Sequence, residues 1–431
     1  MLHQILLRLT KTQVLEKLKS NSGMNLSTIA DFSDSEQISF LQKIGLIERV
    51  GKTDEYRFNE WIRSLDTVQI ANLINDFQNQ IMKASQGELA VTNPSHWEQL
   101  YITLRNLMEK YDPNLVTLTK IMEARFSKLK TQKPAAFVFD VDGNLTKKVP
   151  VTVQNGAQRV EAVLVEEIMK KLYLILESGK TVVLITGRMS KVTEEIKNFG
   201  ESDGAAVLEQ LHIYVDSQTS DEAKKARLLR NIYLTSENGL GQTTNGFRRD
   251  ETGFKRYDAE FFPKMMKRMG WVDDPAMNQQ LTHLLNGIDF DGIKLASERM
   301  FKFRGKPEAL PALRQHIVSE IRSAGLWIDD RMEVVLAGEV VDVLYYRVNK
   351  FSSLVFLAGE LGIRDNEHSI VIKSGDNADP FGNDFPLVSQ PWGMSSGKYD
   401  PFNPCMVSLS LISGQEKGAD TTLWALEQLG I

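Results

Sequence analysis

Residues 135–146, Ala-Ala-Phe-Val-Phe-Asp-Val-Asp-Gly-Asn-Leu-Thr, constrain the fold more than any other stretch of the chain. A short apolar run of this kind reads as a strand buried in a parallel sheet, and ligands in open α/β sheets bind beyond the carboxyl ends of such strands. Asp140 and Asp142 stand at that end. With one residue between them, both carboxylates face the same way from an extended segment, where they repel unless a divalent cation or a shared proton lies between them. A hard ion such as Mg²⁺ suits that donor set. Gly143 lets the chain turn sharply away and leaves room beside the acids. Taken alone, the stretch reads equally well as a strand ending in an Asp-Gly turn.

At 431 residues the chain has material for two or three domains. Residues 1–65 suggest a winged helix. Val14, Leu15 and Leu18 repeat at helical spacing, Asn25 through Ser27 can cap a second helix, Phe40–Ile47 resembles a recognition helix entering a strand, and Gly51–Glu55 would be the wing before Tyr56-Arg57-Phe58. The candidate groove helix carries Asp34 and Glu36 against Lys43, which favours a dimerisation or docking module over a DNA reader. Residues 66–132 read as a helical connecting region, with Leu73, Ile74 and Phe77 on one stripe and Leu104, Leu107 and Met108 on another. Thr131-Gln132-Lys133-Pro134 breaks the helix and marks a boundary before the strand that ends in Asp140.

Three further segments follow in order. Thr181–Ile185 reads as a second buried strand ending in Thr186-Gly187-Arg188, where a hydroxyl and turn amides can hold a phosphate oxygen. Lys350 follows a hairpin, Met332–Leu336 and Val340–Tyr346, and opens a helix; a cation there can offset charge on a carboxylate and a bound phosphoryl group. Ser369–Lys373 reads as another buried strand, ending in Gly375-Asp376, with Asn383-Asp384 beginning eight residues after Gly375. Acids at a neighbouring strand end would complete an oxygen set for Mg²⁺. Between Asp142 and Thr181, runs around Asn155-Gly156 signal a hairpin that serves either as a flap over the site or as an ordinary surface element.

Asp-Val-Asp-Gly, Thr-Gly-Arg, Asn-Lys, and Gly-Asp with Asn-Asp together resemble the ordered motifs of the haloacid dehalogenase-like (HAD) phosphatases over residues 133–431. The resemblance implies an α/β fold: a Rossmann-like parallel-sheet core, 133–240 and 348–431, with an inserted α/β cap, 241–347. It implies Asp140 as nucleophile, Asp142 as general acid and base, Thr186 and Lys350 as phosphate and charge stabilisers, and Mg²⁺ held by Asp140, Asp142 and Asp376 with Asp384. Gly187 and Arg188 would join Thr186 in substrate binding. The second aspartate implies phosphoryl transfer, since family members that cleave carbon–halogen bonds lack it. Asn144 stands where the family commonly carries Thr, which implies tuning rather than loss, because Asn still hydrogen-bonds locally. Within the cap, Lys302 and Arg304 share one face of a strand and either read an anionic or hydroxylated substrate or form a solvated face.

The function implied is a Mg²⁺-dependent phosphatase for a small phosphorylated metabolite such as a sugar phosphate. A phosphomannomutase-like phosphosugar mutase, which uses the same first half-reaction, and a non-catalytic regulatory protein remain as alternatives. The net charge of −5 gives no footing for nucleic acid or an anionic membrane. A single cysteine, Cys405, excludes an internal disulfide and suits a reducing cytoplasm. No histidine pair or second cysteine offers a zinc site, and no run of about 18 apolar residues offers a membrane span. The N-terminal region leaves room for a homodimer or a protein partner.

Overall fold

The computed structural model describes residues 9–10, 41–42, 45–50, 55–66, 68–70, 72–73, 76–77, 94–152, 158–188, 204–239, 244–245, 248–250, 253–255, 261–328, 331–337, 339–363 and 370–431. The chain divides into two compact units, one of residues 1–125 with 400–404 and one of residues 126–399 with 405–431.

In the first unit, β1 (Leu9–Thr10), β2 (Ile47–Arg49) and β3 (Glu55–Phe58) form an antiparallel sheet with β3 in the middle. Residues 41–42 are helical, and the rest of the winged-helix expectation goes largely untouched by the described residues. Its helices around Val14–Leu18 and Asn25–Ser27, the charges Asp34, Glu36 and Lys43, and the wing at 51–54 lie outside the described residues, as does Ile74. Helix α1 (Glu60–Ser64) is capped by Asn59, whose side chain accepts from the Trp61 amide. Helix α2 (Pro94–Tyr111) buries Leu104, Leu107 and Met108. Helix α3 (Val116–Lys130) follows a break at Asp112, whose carboxylate takes the amides of Val116 and Thr117. The segment 400–404, read from sequence as part of the catalytic core, packs in this unit. The Phe402 ring meets Trp61 and Tyr101 edge-on, and Tyr101 donates to Asp400 at 3.2 Å.

The second unit begins at Phe126, within α3, and its first strand is β4 (Pro134–Asp140), directly after the break at Thr131–Lys133. An antiparallel hairpin, β5 (Thr146–Thr152) and β6 (Gln158–Leu164), leads to α4 (Glu166–Glu177) and β7 (Thr181–Ile185). The turn at Asn155-Gly156 is outside the described residues, and so is the chain from 189 to 203 after Arg188. Helices α5 (Gly204–Gln218) and α6 (Glu222–Leu229) precede β8 (Ile232–Thr235) and the edge strand β9 (Thr244–Asn245). A small hairpin, β10 (Arg248–Asp250) with β11 (Gly253–Lys255), comes next. Then come α7 (Phe261–Met269), α8 (Pro275–Gly287), β12 (Ile293–Ala296), β13 (Met300–Arg304), α9 (Leu310–Ser323), β14 (Glu333–Ala337) and β15 (Val340–Leu344). The chain returns through α10 (Lys350–Leu361), β16 (Ile370–Asn377), α11 (Phe385–Val388), β17 (Gly393–Lys398), β18 (Met406–Ser408), α12 (Leu409–Ser413) and α13 (Ala419–Gln428).

The main sheet runs β18-β17-β16-β4-β7-β8-β9, parallel except for the last pair. Its central strand β4 is buried along Phe137, Val138 and Phe139, so both faces carry apolar side chains, as a parallel sheet sheathed by helices requires. The segment between β8 and α10 carries a separate antiparallel sheet, β12-β13-β15-β14, with its own apolar core of Phe301, Phe303, Val341 and Val343. Core and inserted cap are therefore both present. No described helix is long and apolar enough to cross a membrane.

Candidate active site

Strands β4, β7 and β16 are adjacent and parallel, so their carboxyl ends share one rim. That rim collects Asp140 from β4, Thr186 just past β7 and Asp376 from β16. Lys350 comes to it as the first residue of α10, fixed by a capping box between Asn349 and Ser352. The turn after β4 depends on glycine: Gly143 has φ +76°, and a Cβ there would collide with the Asp376 carboxylate. Asp384 reaches the rim from the loop after β16, its Oδ2 accepting the amides of Asp376 (3.0 Å) and Asn377 (2.9 Å).

The carboxylates of Asp140, Asp376 and Asp384 offer oxygens that all lie within 4.8 Å of one another. Lys350, 1% exposed, sets its Nζ 2.5 Å from Asp140 Oδ1 and also against Asp384 Oδ1. Burial works against its ammonium, but Asp140 and Asp384 outweigh that and raise its pKa. Burial and the Asp384 charge push the Asp140 carboxyl up to about 7 against the pull of Lys350. Burial, Asp384 and Asp140 push Asp376 well above the usual carboxylate range. Three clustered acids, two of them buried, against one buried ammonium are an excess of negative charge, and an all-oxygen donor set of that kind fits a hard divalent cation.

Asp142 departs from the sequence expectation of a metal ligand. Its carboxylate lies outside that cluster and is gripped by Arg188, with Nε 2.9 Å and Nη2 2.6 Å from its oxygens, while Thr186 Oγ1 stands 3.2 Å away. The cause is bidentate charge pairing with a buried guanidinium, against which a shared cation competes poorly. Partial burial alone would raise the Asp142 pKa; Arg188, with Lys302 and Thr186, reverses that and holds it below the ordinary carboxylate range. Thus two acids one residue apart occupy opposite electrostatic settings.

Above the rim lies a chamber of about 840 Å³, lined by Asp140, Asp142, Arg188 and Asp376 from the core and by Lys302, Arg304, Glu339 and Asp342 from the cap. Lys302 is buried and donates to Gly187 O at 3.0 Å, so it belongs to the chamber and not to a solvated strand face. Arg304 pairs with Glu339 at 3.2 Å. Lys148 on β5 also lines the chamber and pairs with Glu339 at 3.2 Å, which puts the β5–β6 hairpin over the site.

Sequence reading missed several participants. Asn238, at φ +54° where the chain leaves the core, donates to Asp342 at 2.7 Å, and Asp342 lies opposite Lys302 in the cap sheet. Asn144 collects three hydroxyls in the core, from Ser374, Ser396 and Thr422. Asn144 was legible as a motif position but its three hydroxyl partners were not, and only strand register and long-range folding bring these groups together.

The core is a Rossmann-like parallel α/β sheet with an inserted cap after β8, the fold that the resemblance to the haloacid dehalogenase-like phosphatases implies, and its four motif segments meet at one edge of the sheet. No family model matches the chain, and no curated protein matches it. Among solved structures, an IMP-bound, N-terminally truncated IMP-nucleotidase of Plasmodium falciparum is similar at 13% identity and TM-score 0.46, covering 83% of this chain and 79% of that one. A Thermoplasma acidophilum protein, 0175, is similar at 16% identity and TM-score 0.41, covering 69% of this chain and 99% of that one. Trehalose-6-phosphate phosphatase of Aspergillus fumigatus is similar at 14% identity and TM-score 0.36, covering 72% of this chain and 97% of that one. Likenesses this distant leave the functional reading to the site itself.

Proposed function

We propose that the protein is a Mg²⁺-dependent phosphomonoesterase acting on a small phosphorylated metabolite, a sugar phosphate, in a reducing cytoplasm. The observation that carries this reading is the contrast between Asp140, packed among Lys350, Asp376 and Asp384, and Asp142, turned away onto Thr186 and Arg188. One acid is placed as a nucleophile beside charge-stabilising groups, the other as a proton carrier.

In the first half-reaction an Asp140 oxygen attacks phosphorus, the bond to the ester oxygen breaks, and Asp142 gives that oxygen its proton. Arg188 holds Asp142 ionised when nothing else engages the guanidinium. An incoming phosphoryl dianion competes for Arg188, and loosening that grip lets Asp142 take up the proton it must donate. In the second half-reaction a water attacks the aspartyl-phosphate as Asp142 removes its proton. Lys350 and Thr186 offset charge on the equatorial oxygens throughout. Mg²⁺, which Asp140, Asp376 and Asp384 would hold, supplies charge neutralisation.

The substrate reading rests on the chamber wall. Among the described residues that line it there is no aromatic side chain on which a nucleobase could stack, while Lys148, Lys302, Arg304, Glu339 and Asp342 offer donors and acceptors for hydroxyls. The test is phosphate release with Mg²⁺ across phosphorylated sugars, polyols and nucleotides. Turnover of the sugar and polyol esters that disappears in Asp140→Asn is expected. An Asp140→Asn enzyme releasing phosphate at the wild-type rate overturns the mechanism, and preference for nucleotides overturns the substrate class.

A further inference from the structure

We infer that Asn144 is a positioning residue that fixes the nucleophile's strand end through three hydroxyls, an inference that rests on the phosphatase reading for its catalytic consequence. Its Nδ2 donates to the Asp140 carbonyl at 2.9 Å. Its Oδ1 accepts from Ser374 Oγ at 2.9 Å, Ser396 Oγ at 2.9 Å and Thr422 Oγ1 at 2.7 Å. All four side chains are wholly buried.

The orientation of the amide follows from these partners. Reversed, Oδ1 would face the Asp140 carbonyl, acceptor against acceptor, at a wholly buried position. One planar group therefore joins β4 at Asp140, β16 at Ser374, β17 at Ser396 and α13 at Thr422. Ser374 lies two residues before Asp376 on β16, so the same amide ties the ends of the two strands that carry Asp140 and Asp376. A Thr at 144 has one short hydroxyl, which cannot donate to Asp140 O and also receive three hydroxyls one bond further away. Ser374, Ser396 and Thr422 thus form a matched set with Asn144, whose loss leaves buried hydroxyls unsatisfied and lets the Asp140 end shift. A shift of that kind acts on the chemical step, because the attacking oxygen must meet phosphorus in line.

Thr422 gives the cleanest test, since Val removes only its hydroxyl and Ser only its methyl. Thr422→Val is expected to lower kcat roughly ten-fold by misplacing the attacking oxygen. Its KM is expected to stay within about two-fold, because substrate binding is untouched. Thr422→Ser is expected to keep wild-type kcat. Amide hydrogen exchange over residues 136–146 supplies a readout that needs no turnover: it should quicken in Thr422→Val and Asn144→Thr, and stay at the wild-type rate in Thr422→Ser. Wild-type exchange in Thr422→Val, or equal effects of the Val and Ser variants, overturns the inference. A wild-type protein inactive on every ester would remove the phosphatase reading, while the exchange contrast would still decide the role of Asn144.

Discussion

Lys350 Nζ lies 2.5 Å from Asp140 Oδ1 and reaches Asp384 on its other side, so one fully buried ammonium holds two buried carboxylates. Such an arrangement contributes most through what its removal leaves behind: acids without a counter-charge, in a place where water cannot compensate. Lys350→Met should destabilise the metal-free protein by about 3–5 kcal/mol. It should also abolish turnover, with Mg²⁺ restoring part of the stability and none of the activity. Thermal unfolding with and without Mg²⁺ checks this; a variant as stable as wild type in EDTA would show the pair to be energetically idle.

Proton binding by Asp140 sets the pH dependence of the metal-free protein. Burial, then Asp384, raises its folded-state pKa to about 7 from the ordinary 3.8, and Asp376 shifts in the same direction. The folded state therefore binds protons more tightly than the unfolded one, and stability present below about pH 4 is lost as pH rises through 7. Deprotonation also frees the donors of the proposed metal site, so Mg²⁺ affinity should strengthen over the same window and binding should release protons. Calorimetry in two buffers of different ionisation enthalpy measures that release. Affinity independent of pH between about 5 and 8 would contradict the raised carboxyl pKa values.

Arg188 should set the pH at which Asp142 changes protonation. Burial raises the Asp142 pKa and Arg188 is the foremost of the groups that together reverse this, so in Arg188→Ala the carboxyl pKa rises and the limb of the pH–rate profile due to Asp142 moves to higher pH. A fall in kcat of roughly a hundred-fold is expected from lost orientation of the acid. Arg188→Lys should recover little, because a single ammonium cannot reproduce the two-point grip. A profile that drops in height without moving would assign Arg188 to substrate binding alone.

What could be read from sequence follows the range of the physics. Asp140, Thr186 and Asp376 were legible because each ends or follows an apolar run, and a run of that kind fixes both a strand and the rim it points to. Lys350 was legible as the opening of a helix with Asn349 before it, which caps that helix. Asp142 was legible in position but not in partner, since nothing local says that Arg188 will claim its carboxylate 46 residues later in the chain. The Asn144 hydroxyls and the Asn238–Asp342 contact belong to pairings more than 100 residues apart, which only the assembled sheets bring together. That segment 400–404 packs with residues 1–125 was not legible for the same reason: its anchors are the distant rings of Trp61 and Tyr101.

Lys302 and Asp342 face each other across paired cap strands, 3.6 Å apart and both nearly inaccessible to solvent. Each also binds the core side of the chamber, Lys302 through Gly187 O at 3.0 Å and Asp342 through Asn238 at 2.7 Å. Lys302→Met removes the cation and strands a buried carboxylate, at an expected cost of about 3 kcal/mol. Adding Asp342→Asn removes the stranded charge while keeping a group that Asn238 can still bond, so the double variant should regain most of that stability. It should regain no activity, because the Gly187 contact and the positive chamber wall stay lost; KM should remain raised while Tm recovers. A double variant no more stable than Lys302→Met would mean that packing of the lysine stem, and not its charge, holds this part of the cap.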